Sequence, residues 1–202
     1  LHPERSRAEQ TRAIMDEARR DPDSTMKMMK GDQFDRYAGL EPVFALARGK
    51  SVLDVGCHRG LIAYEFARHG ATVIHGLDLY QPGIQAAREI HSDVPVEYSF
   101  QAIDLSSGRE QVSSQMHDIS PTGYDIVLML AIVQHLDRQI GEEATRDLVD
   151  FFLERTREHF VLRMPRHERI EDFILERGFQ RSYFNALDKT LAPVVVYSRS
   201  AG

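Results

Sequence analysis

The segment Tyr124-Asp-Ile-Val-Leu-Met-Leu130 is the strongest constraint on the fold. It is strand-length and apolar on both faces, and a strand reads that way only when it is covered on both sides. Coverage on two faces calls for helices, and the rest of the chain supplies them in alternation with strands. Strands are predicted at Ser51–Val55, Ala71–Leu77, Val96–Ile103, Tyr124–Leu130, Phe160–Met164, Phe179–Phe184 and Pro193–Ser198. Helices fall at Leu61–His69, closed by Gly70, and from Pro82 to about His91. Others are a short one at Arg109–Met116, a long one at Arg138–His159 with Leu148, Phe151 and Phe152 on its apolar side, and one at Ile170–Arg177 before Gly178. Pro121–Gly123 reads as a turn. The last two strands have no helix-length segment between them and should form a hairpin. The expected fold class is therefore α/β, a seven-stranded, mostly parallel sheet with helices on both faces and a C-terminal antiparallel hairpin.

The chain has 202 residues, of which 42% are apolar, enough for one core. It divides into a polar, helical N-terminal segment over 1–48 and a ligand-binding α/β domain over 49–202. Within the first segment, Glu4–Arg20 is helix-like with a thin apolar side (Ala8, Met15, Ala18), which suits an arm or a dimer contact. Met26-Lys-Met-Met-Lys30, followed by Phe34 and Tyr37, would suit either an adaptable lid or ordinary packing. Monomer and homodimer both stay open. The longest aliphatic run, Ile126–Val133, is far below the ~20 residues of a membrane span, so no membrane association is expected. Leu1 in place of a starting Met points to a trimmed or partial chain, and no signal-peptide pattern opens it. A single cysteine, Cys57, fits a reducing compartment, so the expected location is cytoplasmic. Net charge is −6, and residues 51–150 carry six basic against fifteen acidic side chains. That balance argues against a nucleic-acid partner and for a small-molecule one.

The first strand runs into Val52-Leu-Asp-Val-Gly-Cys-His-Arg-Gly60. Glycines between a strand and a helix let a ligand approach the backbone, and they aim unpaired helix N–H groups at it. The spacing of Gly56 and Gly60 is not the G-x-G-x-x-G of dinucleotide sites. It resembles motif I, D-x-G-x-G-x-G, of the class I, Rossmann-like S-adenosylmethionine-dependent methyltransferases, with Asp54, Gly56 and Gly60 in place and His58 where the middle glycine stands. Three further matches follow in order: Gly76-Leu-Asp78-Leu79, Ala102-Ile-Asp104-Leu105, and Tyr124-Asp-Ile-Val127 running on to Gln134-His135-Leu136.

The resemblance implies that residues 49–202 bind S-adenosylmethionine. It implies cofactor contacts from Asp54, Gly56, Cys57, His58 and Gly60 in the first loop. Asp78 would take the ribose hydroxyls with Leu79 beside it, Asp104 the adenine amino group with Leu105, and Leu130 the rim of the fourth strand. The implied activity is methyl transfer to an oxygen or nitrogen of a small acceptor by in-line displacement. The alternatives are an RNA or protein methyltransferase, or a cofactor-binding regulatory domain without catalysis. His135 is the candidate general base, because imidazole titrates near neutrality, with a structural or positioning role in holding the loop as the favoured alternative. His58 and Tyr80 are weaker candidates. No metal is expected: relatives that bind one carry Glu-x-x-Glu-His, and this chain reads Ala131-Ile-Val-Gln134-His135. Arg163, Arg166, His167 and Arg169 follow the fifth strand and would either grip an acceptor anion or form a solvated basic loop.

Overall fold

A computed structural model describes residues 37–116, 122–185 and 192–199. The Glu4–Arg20 helix, the Met26–Lys30 stretch and the Pro121 end of the predicted turn lie outside the described residues. The elements run α1 (Glu41–Phe44), β1 (Ser51–Val55), α2 (Leu61–Arg68), β2 (Val73–Asp78), α3 (Gln81–His91) and β3 (Glu97–Ala102). A 3-10 turn (Leu105–Ser107) and α4 (Arg109–Met116) lead to β4 (Tyr124–Leu130), α5 (Val133–Ile140) and α6 (Glu142–Glu154). The chain closes with β5 (Thr156–Arg163), α7 (Glu168–Leu175), β6 (Phe179–Asn185) and β7 (Val194–Arg199).

The strands form one seven-stranded sheet in the order β3-β2-β1-β4-β5-β7-β6. β1 pairs in parallel with both β2 and β4, and β4 with β5, whereas β7 is antiparallel to β5 and to β6. The predicted hairpin is thus present, with its second strand inserted between β5 and β6. Strand order reverses between β1 and β4, which places a crevice outside their carboxyl ends.

Alternation along the central strands explains the two-layer covering. Val52, Ile126 and Leu128 pack with Ala63, Phe66 and Ile84 on one face. Leu53, Val127 and Met129 pack with Leu148, Phe152 and Phe160 on the other. Tyr37, Leu40, Val43 and Phe44 join the first of these cores, so the described part of the N-terminal segment is packed onto the sheet domain. Tyr37 is held there by its hydroxyl, which donates to Leu61 O at 3.4 Å.

The long helix expected over Arg138–His159 is three elements. Gly141, at φ +84°, ends α5 and precedes α6, since a left-handed residue cannot continue a right-handed helix. The tail of the expected helix, from Thr156, is already β5. Its polar residues serve the amino edge of the sheet. Arg157 Nε donates to Asp125 Oδ1 at 2.9 Å, and Asp125 Oδ2 accepts from Ser51 N at 2.8 Å and Ser51 Oγ at 2.9 Å. Against the cost of burial, these donors hold the Asp125 carboxyl below its ordinary range.

Gly76 lies in β2 under this packing. A Cβ placed there would stand 2.5 Å from Phe100 Cδ1 and 2.8 Å from Cys57 Sγ. Gly76→Ala is expected to cost about 1–3 kcal/mol through overpacking, read as a lower urea midpoint with an unchanged m-value.

Candidate functional site at the carboxyl ends of β1, β2 and β4

The loop leaving β1 is drawn toward β2 by its backbone: Gly56 N and Cys57 N both donate to Leu77 O, at 2.8 and 3.0 Å. It then turns through left-handed residues, Gly56 at φ +84°, His58 at +50° and Gly60 at +71°. The third of these needs glycine twice over, because a Cβ on Gly60 would also stand 2.8 Å from Ala87 Cβ. His58 adopts the same region with a side chain, at a cost of about 1 kcal/mol. Its position therefore asks for the backbone that a motif glycine gives freely. Its ring lies nearly parallel to that of Tyr80, centroids 5.4 Å apart.

The Asp78 carboxylate at the end of β2 holds this arrangement. Oδ2 accepts from His58 N and Oδ1 from Tyr80 N, each at 2.8 Å. Each oxygen has a second lone pair, so the carboxylate can still accept from a ligand. Leu79 follows it at 65% exposure. An apolar side chain left open beside a ligand-ready carboxylate is what a flat apolar group would cover.

Asp104 follows β3 and caps the 3-10 turn, its Oδ1 accepting from Ser106 N at 2.9 Å and Ser106 Oγ at 2.6 Å. Its Oδ2 has no hydrogen-bond partner among the described residues. Leu105 is buried, whereas Leu130 is half-buried at the end of β4. Beyond Leu130, Ala131 takes φ +60° and Ile132 packs 3.3 Å from where a Cβ on Gly56 would lie. Sequence reasoning did not foresee Ile132 as the wall between the two central strands, since nothing marks it but position. His135 is exposed in the first turn of α5. Among the described residues, no group of three or more His, Cys, Asp and Glu side chains converges as a metal site would.

Asp54 and Cys57 form the floor. The Cys57 thiol is pushed up by burial and by the nearby carboxylates, so it is no nucleophile. Asp54 is 2% exposed, and its carboxylate, unlike its backbone in the sheet, has no hydrogen-bond partner among the described residues. Burial, and then the charge of Asp78, raises its pKa from 3.8 to about 7. A buried carboxyl in this state is ready to receive a cation. The loops after β1, β2 and β3 thus adjoin, through Gly56 N and Cys57 N on Leu77 O, His58 N on Asp78 Oδ2 and Ile103 N on Asp78 O, while His135 is exposed on α5.

No family model matches the chain. A ubiquinone biosynthesis O-methyltransferase of Neisseria meningitidis serogroup C is 27% identical over 108 residues, 52% of this chain and 38% of that protein. The enzyme of the same name from Klebsiella pneumoniae subsp. pneumoniae is 33% identical over 90 residues, 44% of this chain and 33% of that protein. The chain thus spans only 33–38% of the length of these curated relatives. Among solved structures, magnesium protoporphyrin IX methyltransferase from Synechocystis with bound S-adenosylmethionine superposes with a TM-score of 0.59 at 18% identity, covering 80% of this chain and 78% of that one. A TehB-like S-adenosylmethionine-dependent methyltransferase from Corynebacterium glutamicum gives 0.59 at 16%, covering 94% and 98%. The fold is that of the class I S-adenosylmethionine-dependent methyltransferases.

Asp54 also sets a pH dependence. Its raised pKa means that the folded chain holds a proton the unfolded chain releases. Stability from this group is full below about pH 4 and is lost as pH rises through about 7. Asp54→Asn should therefore match the parent Tm at pH 4 and exceed it by several degrees at pH 8, by scanning calorimetry without ligand. A Tm difference that does not change with pH would remove Asp54 as the titrating group.

Proposed function

We propose that the chain binds S-adenosylmethionine at this crevice and transfers its methyl group to an oxygen or nitrogen of a small acceptor. The observation that carries the reading is the Asp78 carboxylate, fixed by His58 N and Tyr80 N at 2.8 Å each, with Leu79 open beside it. The relatives' name places them in ubiquinone biosynthesis as O-methyltransferases, which favours an oxygen on a small molecule. The single, buried cysteine suits a cytoplasmic setting.

S-adenosylmethionine held there would supply an electrophilic methyl on a sulfonium, passed to the acceptor in line as the C–S bond is broken. The chain's own residues supply alignment and exclusion of water. Asp78 accepts from vicinal ribose hydroxyls through its remaining lone pairs, and Asp104 Oδ2 from the adenine amino group. Leu79 and Leu105 flank the base. Asp54 meets the amino-acid end as a counter-charge to its ammonium. The left-handed turn from Gly56 through His58 to Gly60, with Cys57 beneath and Leu130 opposite, gives that end a close backbone approach. His135, exposed on the rim, takes the acceptor proton when the acceptor is a hydroxyl.

Calorimetry tests the binding step. The parent chain should bind S-adenosylhomocysteine, and Asp78→Ala should weaken it about tenfold to a hundredfold, the worth of hydrogen bonds to a charged group. Parent and variant binding alike, or a parent that does not bind, would sink the reading. His135→Ala should lower kcat about a hundredfold for a hydroxyl acceptor and much less for an amine that is already unprotonated. Equal losses for the two acceptors would demote His135 to a positioning residue.

A further inference from the structure

Past the crevice, between α5 and the loop joining β5 to α7, lies a cavity of about 310 Å3. Gln134, Asp137 and Arg138 of α5 form one wall, and Met164, Arg166 and Arg169 the other. Its size is at the lower end of small-ligand pockets. The arginines that follow β5 are not equivalent. Arg163 is buried and its guanidinium donates to Ala38 O. Arg169 is paired with Glu142. His167 is buried beside Glu168 and Glu171, at 3.6 and 3.7 Å. The guanidinium of Arg166, and that of Arg138 across the cavity from it, have neither a hydrogen bond nor an ion pair among the described residues.

We propose that Arg138 and Arg166 together seat an oxyanion, a carboxylate or phosphate, carried by the methyl acceptor. The proposal rests on the methyltransferase reading above and names the substrate class of that site. Each guanidinium carries the forked pair of N–H donors that carboxylates and phosphates fit, and here two separate elements each bring one to the same cavity. The Arg166 backbone supports the assignment: its φ of +55° is a conformation glycine would hold without strain, yet the chain keeps a long cationic side chain there. Asp137 is the one uncommitted carboxylate among the residues named here, so two positive charges face one negative. A net single charge suits one anionic group on a small molecule and is too little for a nucleic-acid backbone.

Gln134 adds a second specification. Its amide donates to Ala131 O at 2.9 Å, while its Oε1 is buried with no donor among the described residues. A buried acceptor of this kind wants a hydroxyl or amine. Gln134 belongs to the same helix that carries Ile132's neighbour Val133 at its start and His135 on its rim, so the helix joins the methyl-transfer crevice to this cavity. The acceptor is then a compact molecule with an anionic group for the arginines and a hydrogen-bond donor for Gln134.

The test titrates the chain, saturated with S-adenosylhomocysteine, with benzoate, phenyl phosphate and neutral benzyl alcohol; the two anions separate carboxylate from phosphate. At least one anion should bind about tenfold tighter than benzyl alcohol, and Arg138→Gln and Arg166→Gln should each weaken it about tenfold while S-adenosylhomocysteine affinity moves by less than about twofold. Benzyl alcohol matching both anions, or anion affinity indifferent to both substitutions, overturns the proposal and leaves the cofactor site standing. A parent chain that takes no S-adenosylhomocysteine fails the cofactor reading instead, and the same titrations without it still decide this cavity.

Discussion

The Asp78 carboxylate fixes two loops at once. His58 N, from the turn after β1, and Tyr80 N, at the entry to α3, both donate to it at 2.8 Å. Neither amide has a place in the sheet ladder, and without this acceptor both would need water or a ligand. The bond to His58 also holds a non-glycine residue in the left-handed region, a conformation that persists only where its surroundings over-determine it. The shape of the crevice therefore depends on one side chain at the end of the second strand. That side chain keeps lone pairs for a ligand while it does this structural work.

The two ends of the sheet are built on opposite terms. At the amino end, Ser51, Asp125 and Arg157 satisfy one another, and Lys50 meets Glu158 at 2.5 Å. At the carboxyl end, the described non-glycine residues with positive φ are His58, Ala131 and Arg166, one after each of β1, β4 and β5. Asp54 is there too, buried and lifted to about pH 7 by its surroundings. Strain and an unpaired buried carboxyl both oppose folding, and both sit at the carboxyl ends of the strands, where such features mark candidate functional sites. The closed network at the opposite edge and the two apolar cores offset that cost.

Much of this was legible in the sequence because the physics was local. Tyr124–Leu130 is apolar on both faces since it is covered on both, and the pattern says so directly. Asp54, Gly56, Gly60, Asp78 and Asp104 are legible through the resemblance to motif I and the segments that follow it, and each stands at a strand end or in the loop that follows one. The long helix over Arg138–His159 was not legible as three elements. Arg157 and Glu158 look like the solvated face of a helix, and their true role as the polar foot of β5 depends on Asp125 and Lys50, remote in sequence. Nor could spacing separate Arg163 and His167, which turn inward, from Arg166, which does not. Burial of one arginine and exposure of the next is decided by what packs over the loop.

That division of the arginines gives the molecule a charge gradient across its switch point. The carboxyl ends of β1, β2 and β3 present Asp54, Asp78 and Asp104, three carboxylates in adjoining loops, which on the proposed reading would face the ammonium, ribose and amino group of the cofactor. The far side of α5 presents Arg138 and Arg166 with less opposing charge. A sulfonium carries a positive charge that vanishes on methyl transfer, and an acceptor anchored by its anion would be drawn toward that charge before the reaction and released from it afterwards. Such an anchor has to lie away from the reacting atom, or it would stabilise the ground state as much as the transition state. On α5, Arg138 lies about one turn further along than the rim residue His135, and the pitch of the helix sets that separation.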